Sequence, residues 1–272
     1  MNFQRTCKTL LAISGLVVLL ASCEDIIEVE LDSIPPKMVI EGTINDLDPK
    51  VKIKLSTTSD YFKPGKNSNI TDAMVSISDE HGNTTSFEEA APGIFLSNSC
   101  LGIANTTYTL EVLTGEEYYE AVCSMPNRVD IDSISFEPAP SYMDFEENAF
   151  QVSCYFQDPV GIDNYYRMKA FVKGDELSGD RSKLVFNDDF VDGNEVTVPW
   201  ESDGFYPMDT VVVELQTLDL ATYDYYRTLF SILEGGLGSP NPANPETNLS
   251  NDALGYFGAC TISRDTIVIQ AR

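Results

Sequence analysis

Val51-Lys52-Ile53-Lys54-Leu55 alternates without a break, with apolar residues on one side and lysines on the other. Successive side chains of a strand point to opposite faces, so this stretch reads as a strand with one face in a core and one in water. The period of two extends outward from it. Upstream lies Met38 to Ile44; downstream come Ala73 to Ser78, Thr84 to Phe87, Ile94 to Leu96, Tyr108 to Leu113 and Tyr118 to Cys123. Turn chemistry separates them at Asp48-Pro49, His81-Gly82-Asn83, Ala91-Pro92-Gly93 and Thr114-Gly115. Seven short alternating strands at this spacing predict a β-sandwich over residues 37–126. Lys50, Lys52 and Lys54 line one face of their strand. The simpler account is protection of an edge strand; the other is a basic patch that meets an acidic partner.

Met125-Pro126-Asn127 interrupts the pattern and marks a boundary. Residues 127–272 are again strand-rich and predict a second antiparallel β domain. One helix, about 219–234, stands out: Asp219 caps it, Leu220, Tyr223, Tyr226, Phe230 and Leu233 recur at helical spacing, and Gly235-Gly236 stops it. That stripe is expected to pack on a sheet. A loop rich in proline and asparagine spans Gly238 to Asp252. Gly255 to Ser263 and Thr266 to Gln270 close the chain as strands, with a hairpin about Arg264.

The first 22 residues have the plan of a secretory signal peptide: Arg5 and Lys8, an apolar run from Leu10 to Leu20, then small residues. The run is shorter than the ~20 residues a spanning helix needs. Leu20-Ala21-Ser22-Cys23 resembles a bacterial lipobox, which implies cleavage before Cys23 and acyl chains, palmitate among them, on that residue. Several chains together give a stable anchor. Residues 23–36 then form a lipidated tether, acidic at its start and stiffened by Pro35-Pro36.

Without Arg5 and Lys8, 15 lysines and arginines face 43 acidic residues, a formal charge of −28. Such a surface repels nucleic acid and anionic lipid. With 43% hydrophobic and 10% aromatic residues the chain can still build cores. Four cysteines remain beyond Cys23: Cys100, Cys123, Cys154 and Cys260. Either they are buried thiols, or they pair within each half as Cys100–Cys123 and Cys154–Cys260.

Catalytic signatures are sparse. The one histidine, His81, sits in a turn, which removes His-pair metal sites. The sequence has no P-loop, GxSxG or HExxH motif. Among 43 acids, a carboxylate pair for a secreted glycosidase-like hydrolase cannot be picked out by spacing. Asp188, Asp189 and Asp192 offer clustered oxygens for calcium. However, Phe190 and Pro199 fall where ligands of an EF-hand loop would be, and Asp192-Gly193-Asn194 is also a good turn. No other cofactor is indicated. The expected contact surface is the loop 238–252 with its neighbours: Asn241, Asn244, Asn248 and Tyr256.

Several stretches together are similar to one family: Cys23-Glu24-Asp25 to Leu31, Val39 to Ile44, Ala73 to Asp79, Asp158-Pro159-Val160-Gly161, Asn164-Tyr165-Tyr166-Arg167, Tyr223 to Arg227, and Asn241-Pro242-Ala243-Asn244-Pro245 through Ala259. In that order they resemble the lipoproteins of domain-of-unknown-function family 4249. The resemblance implies an outer-membrane, surface-associated lipoprotein with an immunoglobulin-like first domain that partners a TonB-dependent receptor in uptake. It carries over no catalytic residue. The expectation is a non-enzymatic binding protein; a hydrolase and a structural or adhesive surface protein are the alternatives.

Overall fold

The alternation at residues 51–55 is realised as a strand whose Val51, Ile53 and Leu55 are buried while Lys52 stays exposed. A computed structural model of the chain describes residues 35–59, 68–115, 117–140, 148–177, 185–200, 204–235 and 244–270. The signal peptide, Cys23, most of the tether and Asn241 lie outside the described residues. All seven strands expected in the first half form: β1 (Met38–Asn45), β2 (Val51–Thr57), β3 (Met74–Asp79), β4 (Thr84–Ala91), β5 (Ile94–Ser97), β6 (Thr107–Thr114) and β7 (Glu117–Ser124). The second half supplies β8 (Ser133–Pro138), β9 (Phe150–Gln157), β10 (Tyr165–Val172), β11 (Asp175–Glu176), β12 (Val185–Asn187), β13 (Glu195–Pro199), β14 (Thr210–Leu218) and β15 (Leu254–Val268), with one helix, α1 (Leu220–Gly235), between the last two. Among the described residues no helix is long and apolar enough to cross a membrane.

The two halves are stitched by β15. It is one continuous strand, where the sequence reading expected a hairpin about Arg264. From Cys260 to Val268 it runs antiparallel to β14, and from Leu254 to Cys260 it runs parallel to β1. Arg264 cannot be a turn because it faces Glu214 in register and is ion-paired to it. The result is a single hydrogen-bonded path, β11-β10-β14-β15-β1-β2-β5-β4-β3-β6-β7. Entry into the parallel pairing needs Gly255, at φ +96°, where a Cβ would meet the Ile40 carbonyl oxygen at 2.0 Å.

Two cores follow from the alternation. The first gathers Ile40, Ile53, Leu55, Ile77, Phe95, Leu110 and Val112, and it borrows Leu249, Ala253, Phe257 and Ala259 from the C-terminal segment. The second lies between the small sheet β13-β9-β8 and the far end of the joined sheet, around Phe156, Tyr166, Trp200, Val213 and Leu215. Each buried side chain of this size is worth about 1.5–3 kcal/mol. Pro126 does separate the two cores, but residues 249–259 return to the first. The domain that begins at residue 37 is therefore not complete at 126.

Cys100, Cys123, Cys154 and Cys260 are free and buried, so neither pairing forms. Cys154 faces the second core, whereas Cys260 lies in a separate cluster with Leu218 and Ile262. Cys100 and Cys123 share the first core and both remain free thiols there. Burial pushes Cys154 up to about 12 and raises Cys123 and Cys260 well above the ordinary thiol range.

Asp219 caps α1 as expected. Its backbone carbonyl accepts from the Tyr223 N–H at 3.0 Å, and its carboxylate accepts from the Thr222 hydroxyl and, at 3.1 Å, from the Ala259 N–H. The buried stripe differs from the expected one. Thr222 and Tyr225 face inward and Tyr223 and Tyr226 are half-buried, while Leu220 and Leu233 are exposed. Packing is aromatic: Tyr223 stacks on Tyr165 at 4.9 Å and Tyr225 on Tyr256 at 4.3 Å. Gly258 lets the helix approach, since a Cβ there would lie 1.7 Å from the Thr222 hydroxyl.

Candidate functional site

Residues that alternate away from the two cores share one outer face of the joined sheet. Register places them in rows. Lys169, Glu214 and Arg264 stand side by side across β10, β14 and β15; the next row is Arg167, Gln216 and Ile262; the next is Tyr165, Leu218, Cys260 and, on β1, Asn45. With Thr43, Tyr226 and Tyr256 these rows line a cleft of about 540 Å³. A second cavity of about 460 Å³ adjoins it, sharing Thr43 and Tyr256 and lined by Lys50, Lys52, Lys54 and Glu41. Volumes of this order suit small ligands.

A polar frame fixes the cleft. Glu214, buried, accepts from Arg264 through Nε (2.7 Å) and Nη2 (2.6 Å) and from Gln216 at 2.6 Å. Charge-assisted bonds of this kind hold both partners in place. The Tyr226 and Tyr256 hydroxyls are 2.6 Å apart, and Tyr256 reaches Thr43 at 3.1 Å. Burial, reinforced by Tyr226, raises the Tyr256 phenol well above its ordinary range, and burial pushes Tyr225 up to about 12. Both are neutral hydroxyls at any physiological pH. The Arg167 guanidinium lies over the Tyr226 ring, 4.1 Å from its centroid. Its buried Nε has no hydrogen-bond acceptor among the described residues.

The lysine strip gains a different meaning here. β2 pairs β1 on one side and β5 on the other. It is not an edge, so edge protection does not explain Lys50, Lys52 and Lys54. Lys54 is paired to Glu41 at 2.7 Å.

Of the expected contact residues that are described, Tyr256 alone lines the cleft. Asn244 is exposed. Asn248 is a structural clamp: its Nδ2 donates to the Val122 and Phe257 carbonyls at 3.0 and 2.7 Å, and its Oδ1 accepts from the Phe257 N–H at 3.1 Å. The loop around it continues the grip on β7 through a Ser250–Glu120 backbone bond and an Ala121–Leu249 bridge. Residues 248–251 thus cover the β7 edge of the sheet, while Asn244, Glu246 and Thr247 stay exposed.

The acidic stretch is also rearranged. Asp188 and Asp192 converge with Asp158, which the sequence reading missed, and their carboxylate oxygens lie within 4.8 Å of one another. Asp189 turns away to accept from Asn187 at 2.7 Å. The three carboxylates lock two loops: Asp158 accepts from the Tyr166 hydroxyl and the Gly193 N–H, Asp188 from the Asn164 N–H, and Asp192 from the Gly161 N–H. As calcium ligands they would supply three of its about six to eight oxygens. His81 sits exposed in the β3–β4 turn, its N–H held by Asp79 at 2.9 Å.

Sequence reasoning missed Arg167, Lys169, Glu214 and Arg264. A signal was present: Tyr166-Arg167-Met168-Lys169-Ala170 repeats the apolar–basic alternation of residues 51–55.

Among solved structures the chain is similar to a two-domain fibronectin type III segment of chicken tenascin, at 14% identity and TM-score 0.22, covering 67% of this chain and 90% of that one. It is similar to the Yersinia pseudotuberculosis adhesin InvE at 12% identity and TM-score 0.22, over 66% and 55% of the two chains. The FN1–FN3 domains of chicken CNTN1 match at 9% identity and TM-score 0.24, over 68% and 63%. No curated protein matches the chain. A family model does, from residue 24 to residue 266, and the chain belongs to that family, described as a domain of unknown function, DUF4249.

Proposed function

We propose that this chain is a non-enzymatic, lipid-anchored binding protein of the outer membrane of a diderm bacterium, accessory to a TonB-dependent receptor in nutrient uptake. One observation carries the binding role: a cleft built by both halves of the chain, lined by tyrosine hydroxyls and fixed polar groups. Glu214, at its floor, is committed to Arg264 and Gln216, which favours recognition over acid–base hydrolysis. Asp219, Asp224 and Glu246 line another cavity, of about 410 Å³. There Asp219 caps the helix, and Asp224 and Glu246 both face Arg227, at 3.0 and 3.6 Å. No cofactor belongs to this reading. The anchor and the receptor partnership rest on the lipobox-like Cys23 and on the family resemblance.

Affinity purification of the lipidated protein from detergent-solubilised outer membranes tests the partnership. A receptor barrel should co-purify; recovery of the lipoprotein alone at low salt would remove its support. Cys23→Ala should move the protein from the membrane to the soluble fraction, and persistence in the membrane would overturn the anchor.

A further inference from the structure

Cations are scarce in this chain and unevenly placed. Ten lysines and arginines fall among the described residues, and six of them, Lys50, Lys52, Lys54, Arg167, Lys169 and Arg264, line the two adjoining cavities. The carboxylates lining the same cavities are three: Glu41, Asp48 and Glu214. A chain of formal charge −26 therefore carries a locally positive cleft. The compensation within it is also uneven. Lys54 is paired to Glu41, Lys169 to Glu176 at 3.2 Å and Arg264 to Glu214. Among the described residues Lys50, Lys52 and Arg167 have no carboxylate partner, and the buried Arg167 Nε has no acceptor. Leaving a buried donor unpaired is costly, and an incoming acceptor would remove that cost.

Resting on the binding role proposed above, we infer that the cleft takes a small anionic ligand, one bearing carboxylate, sulfate or phosphate groups. Arg167 receives an acid group, and Lys50 and Lys52 draw the ligand in along the sheet. An extended peptide is disfavoured, because this is the face of a sheet whose backbone groups are already paired across β10, β14, β15, β1 and β2, leaving no ladder to extend. The hydroxyls of Tyr226 and Tyr256 serve the uncharged body of the ligand. The acidic remainder of the surface repels anions, so the field favours the cleft alone, and capture depends on ionic strength.

Calorimetric titration at low and moderate salt tests this with paired probes: oligogalacturonate against its methyl ester, sulfated maltohexaose against maltohexaose, and inositol hexakisphosphate against inositol. At least one acid-bearing probe should bind, more weakly as salt rises, and its uncharged counterpart should not. The pair that responds identifies the acid group. Arg167→Gln should weaken binding roughly tenfold or more. The exposed pair Lys50→Gln/Lys52→Gln should weaken it several-fold without altering the melting temperature, which keeps the test sound if Arg167→Gln perturbs packing. Lys173→Gln, at an exposed lysine paired to Asp209 outside the cleft, should have no effect. The inference falls if no charged probe binds better than its neutral partner, or if neither cleft variant weakens binding. Receptor co-purification in that event would leave the uptake role standing and remove only the acid specificity.

Discussion

Asp219 joins strand to helix, and its chemistry gives a pH signature. Burial raises its carboxyl above the ordinary aspartate range, while hydrogen bonds from Thr222 and Ala259 pull it down. A carboxyl raised in the folded state keeps its proton to higher pH than in the unfolded chain. Between the two values the folded state binds more protons, so this group's contribution to stability falls as pH rises through that window. Asparagine caps helices as well as aspartate and carries no charge to bury. Melting of Asp219→Asn against wild type should therefore shift in the variant's favour as pH rises above the ordinary aspartate range; a pH-independent difference would contradict it. The thiols give a second test. Native protein should resist iodoacetamide, since Cys154 is pushed up to about 12 and all four are buried. Under denaturing, non-reducing conditions Cys100, Cys123, Cys154 and Cys260 should all alkylate, and mass spectrometry would show any that do not. What the sequence made visible at this scale was which side chains leave a core: Lys52, Lys54 and Tyr256 were all flagged. Arg167, Glu214 and Arg264 were not, because 97 residues of chain separate the first from the last and only register makes them neighbours.

At the scale of elements, period and turn chemistry located the first seven strands and the capped helix. Two elements were misread for physical reasons. Arg264 interrupts an apolar run, which looks like a turn, but its charge is met by Glu214 on the adjacent strand. The loop that ends at Asp252 has the composition of a free surface, yet two of its asparagines, Asn248 and Asn251, make backbone bonds that composition cannot reveal. Asn251 donates to the Tyr118 carbonyl at 2.5 Å, and Asn248 makes three such bonds. Asn248→Ala should cost about 2 kcal/mol in urea unfolding, from bonds lost and backbone groups left unpaired. Asn244→Ala, at an exposed site, should stay within about 0.5 kcal/mol of wild type. Equal effects would deny the clamp.

For the whole molecule, β15 runs from the first half into the second and should make the two cores one cooperative unit. The first core includes Phe257 and Ala259, and the strand that carries them continues into the second half along β14. Residues 36–126 alone should lack a cooperative unfolding transition. In the intact chain, Trp200 fluorescence, which reports the second core, and far-ultraviolet circular dichroism, which reports both, should give coincident urea midpoints. Separate midpoints would show two independent domains. The sequence announced both cores through their alternation. It did not announce their union, because a parallel pairing of strands at opposite ends of the chain leaves no local trace in either.

That pairing also sets a clock. Val39 meets Leu254, so β1 is made long before the strand that will flank it. At ~5–20 residues per second of synthesis the interval is about ten to forty seconds. Throughout it, β1 presents an unsatisfied backbone edge, the kind that recruits neighbouring chains. Closing so distant a contact is slow once the residues are available. A chain that stops short of Leu254 therefore keeps that edge of β1 open.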